Sequence, residues 1–195
     1  MKLGLTGGIG CGKSTVVALF QQAGWRTVGT DAVVADLLEQ DAEVRAELRR
    51  HWGATVFLDG GSVDRQRIAA KVFSDEAELR WLEKLLHPRV REVWQGAVDG
   101  DPAARWLVEI PLLFEKRLES AFDFTVCVAA PSDVVEIRMA ARGYTGEAVE
   151  RRRRRQMLLE EKLIRADYVI TNAGNLDFLK DQTSLLIHRL TVGTT

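Results

Sequence analysis

At 195 residues, 46% of them hydrophobic, with a formal net charge of −1, the chain has the size of one α/β core with room for a small inserted subdomain. The near-neutral balance gives no bulk attraction to nucleic acid or membrane, and no stretch approaches the ~18 continuous apolar residues of a membrane span. Cys11 and Cys127 each fall in a predicted core element without a metal-ligand neighbour at short spacing, which predicts a reducing, cytoplasmic setting; the chain enters its first strand at once, so no leader is expected.

The apolar run Lys2–Leu3–Gly4–Leu5–Thr6 predicts a buried strand, and Val16–Phe20 the first turns of a helix. Between them Gly7, Gly12, Lys13 and Ser14 match G-x-x-x-x-G-K-[ST] in the strand–loop–helix setting that this pattern requires. Glycines let successive N–H groups point inward as an anion nest, and the following helix aims its positive dipole end at the same point. The backbone of Gly8, Gly10, Cys11, Gly12, Lys13, Ser14 and Thr15 is therefore expected to bind the phosphates of a nucleoside triphosphate. Lys13 is expected to reach the β- and γ-phosphates and the Ser14 hydroxyl to ligate Mg²⁺. The competing reading is a glycine-rich turn with a surface lysine.

Arg26–Thr30 predicts the second strand, with Asp31 at its carboxyl end, where open parallel sheets place their ligand crevice. Asp31 would equally serve as N-cap of a helix beginning at Ala32. No good strand follows before residue 97. Helices are predicted over 32–38, 42–52, 64–73 and 75–86; His87–Pro88 breaks the pattern and 89–98 resumes it. So long a helical run is an insertion rather than a crossover, and its tryptophans, Trp52, Trp81 and Trp94, read as core. Trp106–Ile110 is a third strand carrying one carboxylate, Glu109, and ended by Pro111; Phe124–Val128 is a fourth. Helices over 132–142 and 147–165 flank a turn at 143–146. The second carries Arg151–Arg155, a solvated basic face or, beside a phosphate site, a source of charge for phosphoryl transfer. Glu147 and Glu150 stand four residues before Arg151 and Arg154 and partly relieve their repulsion; Arg138 and Arg142 share one helical face. Tyr168–Thr171 is a fifth strand. Asn172 opens the turn after it, placed to contact the adenine, and residues 177–190 close the chain as a helix.

The fold class expected is α/β: a three-layer P-loop NTPase core on a five-stranded parallel sheet. Residues 1–31, 99–131 and 166–195 form that core, 32–98 a helical substrate domain and 132–165 a helical lid.

Beyond the loop, the chain carries Asp64–Arg65, Val72–Phe73–Ser74–Asp75, Leu86–His87–Pro88-x-Val90–Arg91 and Glu109–Ile110–Pro111–Leu112–Leu113–Phe114–Glu115. Later come Gln156–Met157, Glu161–Lys162 and Ala166–Asp167–Tyr168–Val169–Ile170-x-Asn172-x-Gly174. Together they resemble the dephospho-CoA kinase family over nearly the whole chain. The resemblance implies transfer of the ATP γ-phosphoryl to the ribose 3′-hydroxyl of dephospho-CoA, with Mg²⁺, a helical CoA-binding domain and a lid over ATP. It implies Asp31, Lys13 and Arg142 as the residues of the chemistry, with Arg138, Arg142 and Asn172 joining the loop at ATP. It further implies Asp31, Arg65, His87, Glu109, Pro111 and Leu112 at the substrate. A monomer that takes no nucleic acid and no membrane is expected. Three departures stand out: Gly29 where the family has the first of two aspartates, Cys11 where it has serine, and a denser arginine run. A thiol among loop amides is expected to have a lowered pKa, to alkylate readily and to be protected by MgATP. The alternatives are another P-loop small-molecule or nucleotide kinase, an NTP-driven switch, and an RNA-binding arginine face.

Overall fold

In the computed structural model the described residues are 1–192, the side chains of residues 147, 148, 151 and 152 excepted. Of the predicted arginine run, Arg151, Arg152 and the Glu147 set against them thus lie outside the described side chains. The chain divides into two units, Met1–Gly29 with Asp101–Thr195, and Thr30–Gly100.

The first unit is built on five short strands: β1 (Lys2–Gly7), β2 (Arg26–Gly29), β3 (Trp106–Glu109), β4 (Phe124–Ala129) and β5 (Tyr168–Thr171). All pair in parallel, in the order β2-β3-β1-β4-β5. Continuous apolar runs suit this arrangement, because a parallel sheet is covered on both faces. Leu3, Leu5, Leu107, Val126 and Val128 are fully buried. Helix α1 (Lys13–Gln22) lays Val16 and Phe20 into the same core, where Phe20 meets Trp25 edge-on at 5.1 Å.

The second unit is helical: α2 (Thr30–Gln40), α3 (Ala42–Trp52), α4 (Arg65–Ser74) and α5 (Glu76–Gly100). Its helix starts are written in aspartates. Asp41 caps α3 by accepting from Val44 N–H at 2.9 Å, and Asp64 caps α4 by accepting from Gln66 and Arg67 at 3.0 and 3.1 Å. Asp31 does not cap α2: that helix starts one residue earlier, and Asp31 sits exposed in its first turn, where a carboxylate suits the dipole.

His87–Pro88 does not break the chain as its sequence predicts. Helix α5 runs through Pro88 for 25 residues. The buried stripe Leu82, Leu86, Val90, Trp94 and Val98 repeats every four residues across the proline, so packing holds the helix that local chemistry would end. The Arg89 guanidinium turns back along the same helix and donates to the Leu85 carbonyl at 3.0 Å. Trp52 and Trp94 are buried; Trp81 is half-buried, stacked on His51 at 3.8 Å.

The rest of the first unit carries α6 (Ser132–Ala141), α7 (Gly146–Arg153), α8 (Leu159–Arg165) and α9 (Leu176–Val192). The single helix predicted over 147–165 is two. Its interruption at 154–158 has a tertiary cause: the Met157 N–H leaves the helical pattern to donate to the Glu115 carboxylate at 2.8 Å. The Asp167 carboxylate accepts from both the N–H and the hydroxyl of Thr125 (2.7 and 2.8 Å), and Asp167 N–H donates back to that hydroxyl at 3.1 Å. These reciprocal bonds fix the approach to β5 against the start of β4. Among the described residues no helix is long and apolar enough to cross a membrane.

Candidate active site

Central strand β1 ends at Gly7, and residues 8–12 turn the chain into α1. The turn demands glycine. Gly12 is the N-cap of α1 at φ +94°, and a Cβ there would lie 2.1 Å from Asn172 Nδ2; one at Gly7 would lie 2.2 Å from the Val128 carbonyl oxygen. No side chain caps α1, so its first turn presents backbone N–H groups to an anion. Lys13 Nζ donates to the carbonyls of Gly7 and Gly8 at 3.2 and 3.1 Å, which keeps the ammonium at the loop. The next residue, Ser14, is exposed, while Thr15 N–H returns to Gly12 at 3.1 Å.

Behind the loop stands a polar clamp. Asn172, buried just beyond β5, donates from Nδ2 to the Cys11 carbonyl at 2.9 Å and accepts from Arg138 Nη2 at 3.0 Å. Its N–H is anchored to Ala129 at 2.7 Å. Arg138 Nη1 is buried and has no hydrogen-bond partner among the described residues, and it lies 3.9 Å from the Gly12 Cβ position. A cationic donor is thereby held against the loop. Arg142, one turn on, is the exposed C-cap of α6.

Cys11 is 1% exposed, and burial pushes its thiol up from the ordinary value, outweighing the opposing pull of Lys13, backbone N–H groups and Arg138. The expectation of a lowered pKa is therefore corrected: among the loop amides the thiol is dry rather than activated. Cys127 on β4 is likewise pushed up, to about 11, chiefly by burial. Both cysteines are free.

A cavity of about 400 Å³ adjoins the loop, lined by Gly8, Ile9 and Cys11 on one side, Pro131 and Val135 on another, and Arg153 and Gln156–Glu160 on a third. At the carboxyl edge of the sheet, Glu109 stands in register with Leu5 and Gly29, and a Cβ on Gly29 would lie 3.9 Å from Glu109 Oε2. An aspartate at position 29 would thus set a second carboxylate beside Glu109. The Pro111 carbonyl accepts from Lys162 Nζ at 2.8 Å and from the Thr6 hydroxyl at 3.2 Å, and Leu112 is half-buried next to it. In the helical unit, Arg65 is exposed at the first position of α4 and His87 is exposed on α5.

The structure thus brings Gly8, Gly10, Cys11, Gly12, Lys13, Ser14, Thr15, Arg138 and Asn172 into one neighbourhood. Lys162 and Asp167, each part of a motif noted in the sequence, had no role read for them. A lysine in a polar helix gives no local sign of being buried, and an aspartate before a strand looks like any loop residue.

A parallel α/β sheet whose central strand delivers a glycine loop, a lysine and a hydroxyl to an uncapped helix start defines a P-loop nucleotide-binding protein. A family model described as Dephospho-CoA kinase matches residues 1–177, and the chain belongs to the dephospho-CoA kinase family. Dephospho-CoA kinase of Thermus thermophilus is 40% identical over 192 residues, covering 98% of this chain and 92% of that protein. The Aquifex aeolicus protein of the same name is 34% identical over 191 residues, covering 97% of each. A Thermus thermophilus protein of solved crystal structure matches with a TM-score of 0.83 at 38% identity, over 97% of both chains. Dephospho-CoA kinase from Campylobacter jejuni, at 23% identity over the whole of both chains, shares the fold with a TM-score of 0.73.

Proposed function

We propose that this chain phosphorylates the ribose 3′-hydroxyl of dephospho-CoA with ATP, giving coenzyme A and ADP. The observation that carries the reading is the uncapped start of α1 with Lys13 held at the loop, in a chain that matches dephospho-CoA kinases over nearly its full length.

Backbone N–H groups of Gly8–Ser14 hold the β-phosphate, and Lys13 swings from the Gly7 and Gly8 carbonyls to bridge the β- and γ-phosphates. Asp31 takes the proton of the 3′-hydroxyl as its oxygen attacks the γ-phosphorus. The bond from that phosphorus to the β,γ-bridging oxygen breaks, and ADP leaves with the electron pair. Positioning the hydroxyl in line counts for more than the basicity of Asp31 where the transition state is loose. Arg138 and Arg142 stabilise charge on the transferring oxygens; Nη1 of Arg138 is the donor already set toward the loop. Asn172 holds the loop backbone and orients Arg138.

The donor set suits Mg²⁺: Ser14 offers an exposed hydroxyl in the first turn of α1, and a hard dication shared with phosphates needs few protein ligands. When bound, that ion would neutralise phosphate charge. Arg65, His87, Glu109, Pro111 and Leu112 are the proposed contacts of the acceptor. Two free, buried thiols support a cytoplasmic setting.

The test is ADP release from MgATP with dephospho-CoA, nucleoside monophosphates or shikimate as acceptor. Release dependent on dephospho-CoA alone, with a new 3′-phosphate on the product, is expected. Release with another acceptor, or with none, would refute the assignment.

A further inference from the structure

Lys162 is the one lysine among the described residues whose side chain is wholly buried. A buried ammonium must be paired and hydrogen-bonded. Lys162 Nζ lies 2.8 Å from Glu115 Oε1 and donates to the Pro111 carbonyl, also at 2.8 Å. The same Glu115 Oε1 accepts the Met157 N–H at 2.8 Å. The Pro111 carbonyl takes the Thr6 hydroxyl as well, and Thr6 immediately precedes Gly7 on β1. Four segments therefore meet at one carboxylate–ammonium pair: the end of β1, the turn after β3, the bend between α7 and α8, and α8 itself.

The bend and the first turn of α8 face the phosphate loop. Gln156, Met157, Leu158, Leu159 and Glu160 form one wall of the loop cavity, and Leu159 Cδ1 lies 3.8 Å from the Gly8 Cβ position. The Met157 N–H is the backbone group through which Glu115 holds that wall. Neither Glu115 nor Lys162 lines the cavity, and yet the pair fixes the wall that the nucleotide meets.

We propose that Glu115 and Lys162 are positioning residues: their buried pair holds the 156–160 wall against the loop and thereby sets the affinity for ATP. This rests on the kinase reading above.

The test compares two full-length, charge-neutral double variants. Glu115→Gln with Lys162→Met keeps an oxygen acceptor for the Met157 N–H; Glu115→Leu with Lys162→Met removes it. Neither leaves a lone buried charge, so they differ in the hold on the bend. Melting by circular dichroism, direct MgATP binding, and KM for each substrate are measured. The Gln variant is expected to keep KM for ATP within about threefold of the parent, and the Leu variant to raise it and the MgATP Kd about tenfold, one hydrogen bond's worth. Both variants lose the Lys162 bond to the Pro111 carbonyl alike, so their KM values for dephospho-CoA should agree with each other within about twofold. Equal KM for ATP in the two variants would overturn the proposal, as would an equal difference between them in KM for dephospho-CoA. Failure of the Gln variant to fold would reduce the pair to a support of the core and overturn it too. Absence of acceptor-dependent turnover in the parent strikes the kinase reading instead, and MgATP binding still decides the role of the pair.

Discussion

Gly12 and Asn172 should behave as one unit, and the size of their coupling can be worked from the geometry. In Gly12→Ala the new Cβ would fall 2.1 Å from Asn172 Nδ2, where roughly 3.5 Å is needed. Asn172 is buried, so retreat breaks its bonds to the Cys11 carbonyl and Arg138. Two lost hydrogen bonds cost about 2 kcal/mol, and a stranded buried carbonyl about 1–3 more. The left-handed backbone at φ +94° adds about 1–2 kcal/mol for any residue with a Cβ. Gly12→Ala should therefore cost about 4–7 kcal/mol, against a typical total of about 5–15. Asn172→Ala alone loses the same bonds without the strain, about 3–5 kcal/mol. Once the amide is gone the Cβ meets no clash, so the double variant should again cost about 4–7, roughly 3–5 kcal/mol less than the sum of the singles. Urea denaturation followed by circular dichroism measures all four proteins. A double variant that folds where Gly12→Ala alone does not would carry the same message. Additivity within about 0.5 kcal/mol would refute the reasoning.

Lys13→Ala should abolish turnover while shifting the melting temperature by less than about 4 °C, since its bonds are partly exposed; a normal turnover number would count against its place at the phosphates. Asp31→Asn should lower kcat about 10²-fold, in the range of general-base loss, and an unchanged kcat would remove it from the chemistry. Pro88→Ala in α5 should stabilise the fold by up to about 3 kcal/mol of helix penalty relieved, seen as a higher melting temperature; a fall would mean that the packing of α5 depends on the proline. Cys11 and Cys127 both have thiol pKa values raised on folding, so the unfolded chain releases their protons first. Stability from these groups is complete below pH 9.0 and declines as the pH climbs toward about 11, and replacing Cys127 with Ala should flatten that decline in urea midpoints measured across the range. Iodoacetamide should label either thiol only as fast as the core opens.

The inner strands β1, β3 and β4 were readable because a buried parallel strand must be apolar along its length, and the glycine loop because its backbone geometry excludes most other residues. What local pattern could not show was settled by distant partners. Proline chemistry at 88 argues for a break, yet the four-residue stripe from Leu82 to Val98 carries α5 through it. Nothing within 147–165 says that the helix stops; Glu115, some forty positions away, draws Met157 out of it. Cys11 looked activated because its neighbours are N–H groups and a lysine, but the sign of its shift depends on how dry the site is, which only packing decides. Asn172 was placed at the adenine by its turn, whereas its amide is spent on the loop backbone and Arg138.

The strand order also dictates a timetable. β1 pairs with β3 and β4, and β2 with β3; the two earliest strands never bond to each other. As the polypeptide leaves the ribosome, the glycine loop therefore trails a strand with no neighbour until residues beyond 106 have emerged. Helices α2–α5, which make their contacts within one continuous stretch, are translated in that interval. The helical unit is thus complete before the phosphate cradle can exist, and a nascent chain halted short of β4 should hold no ATP.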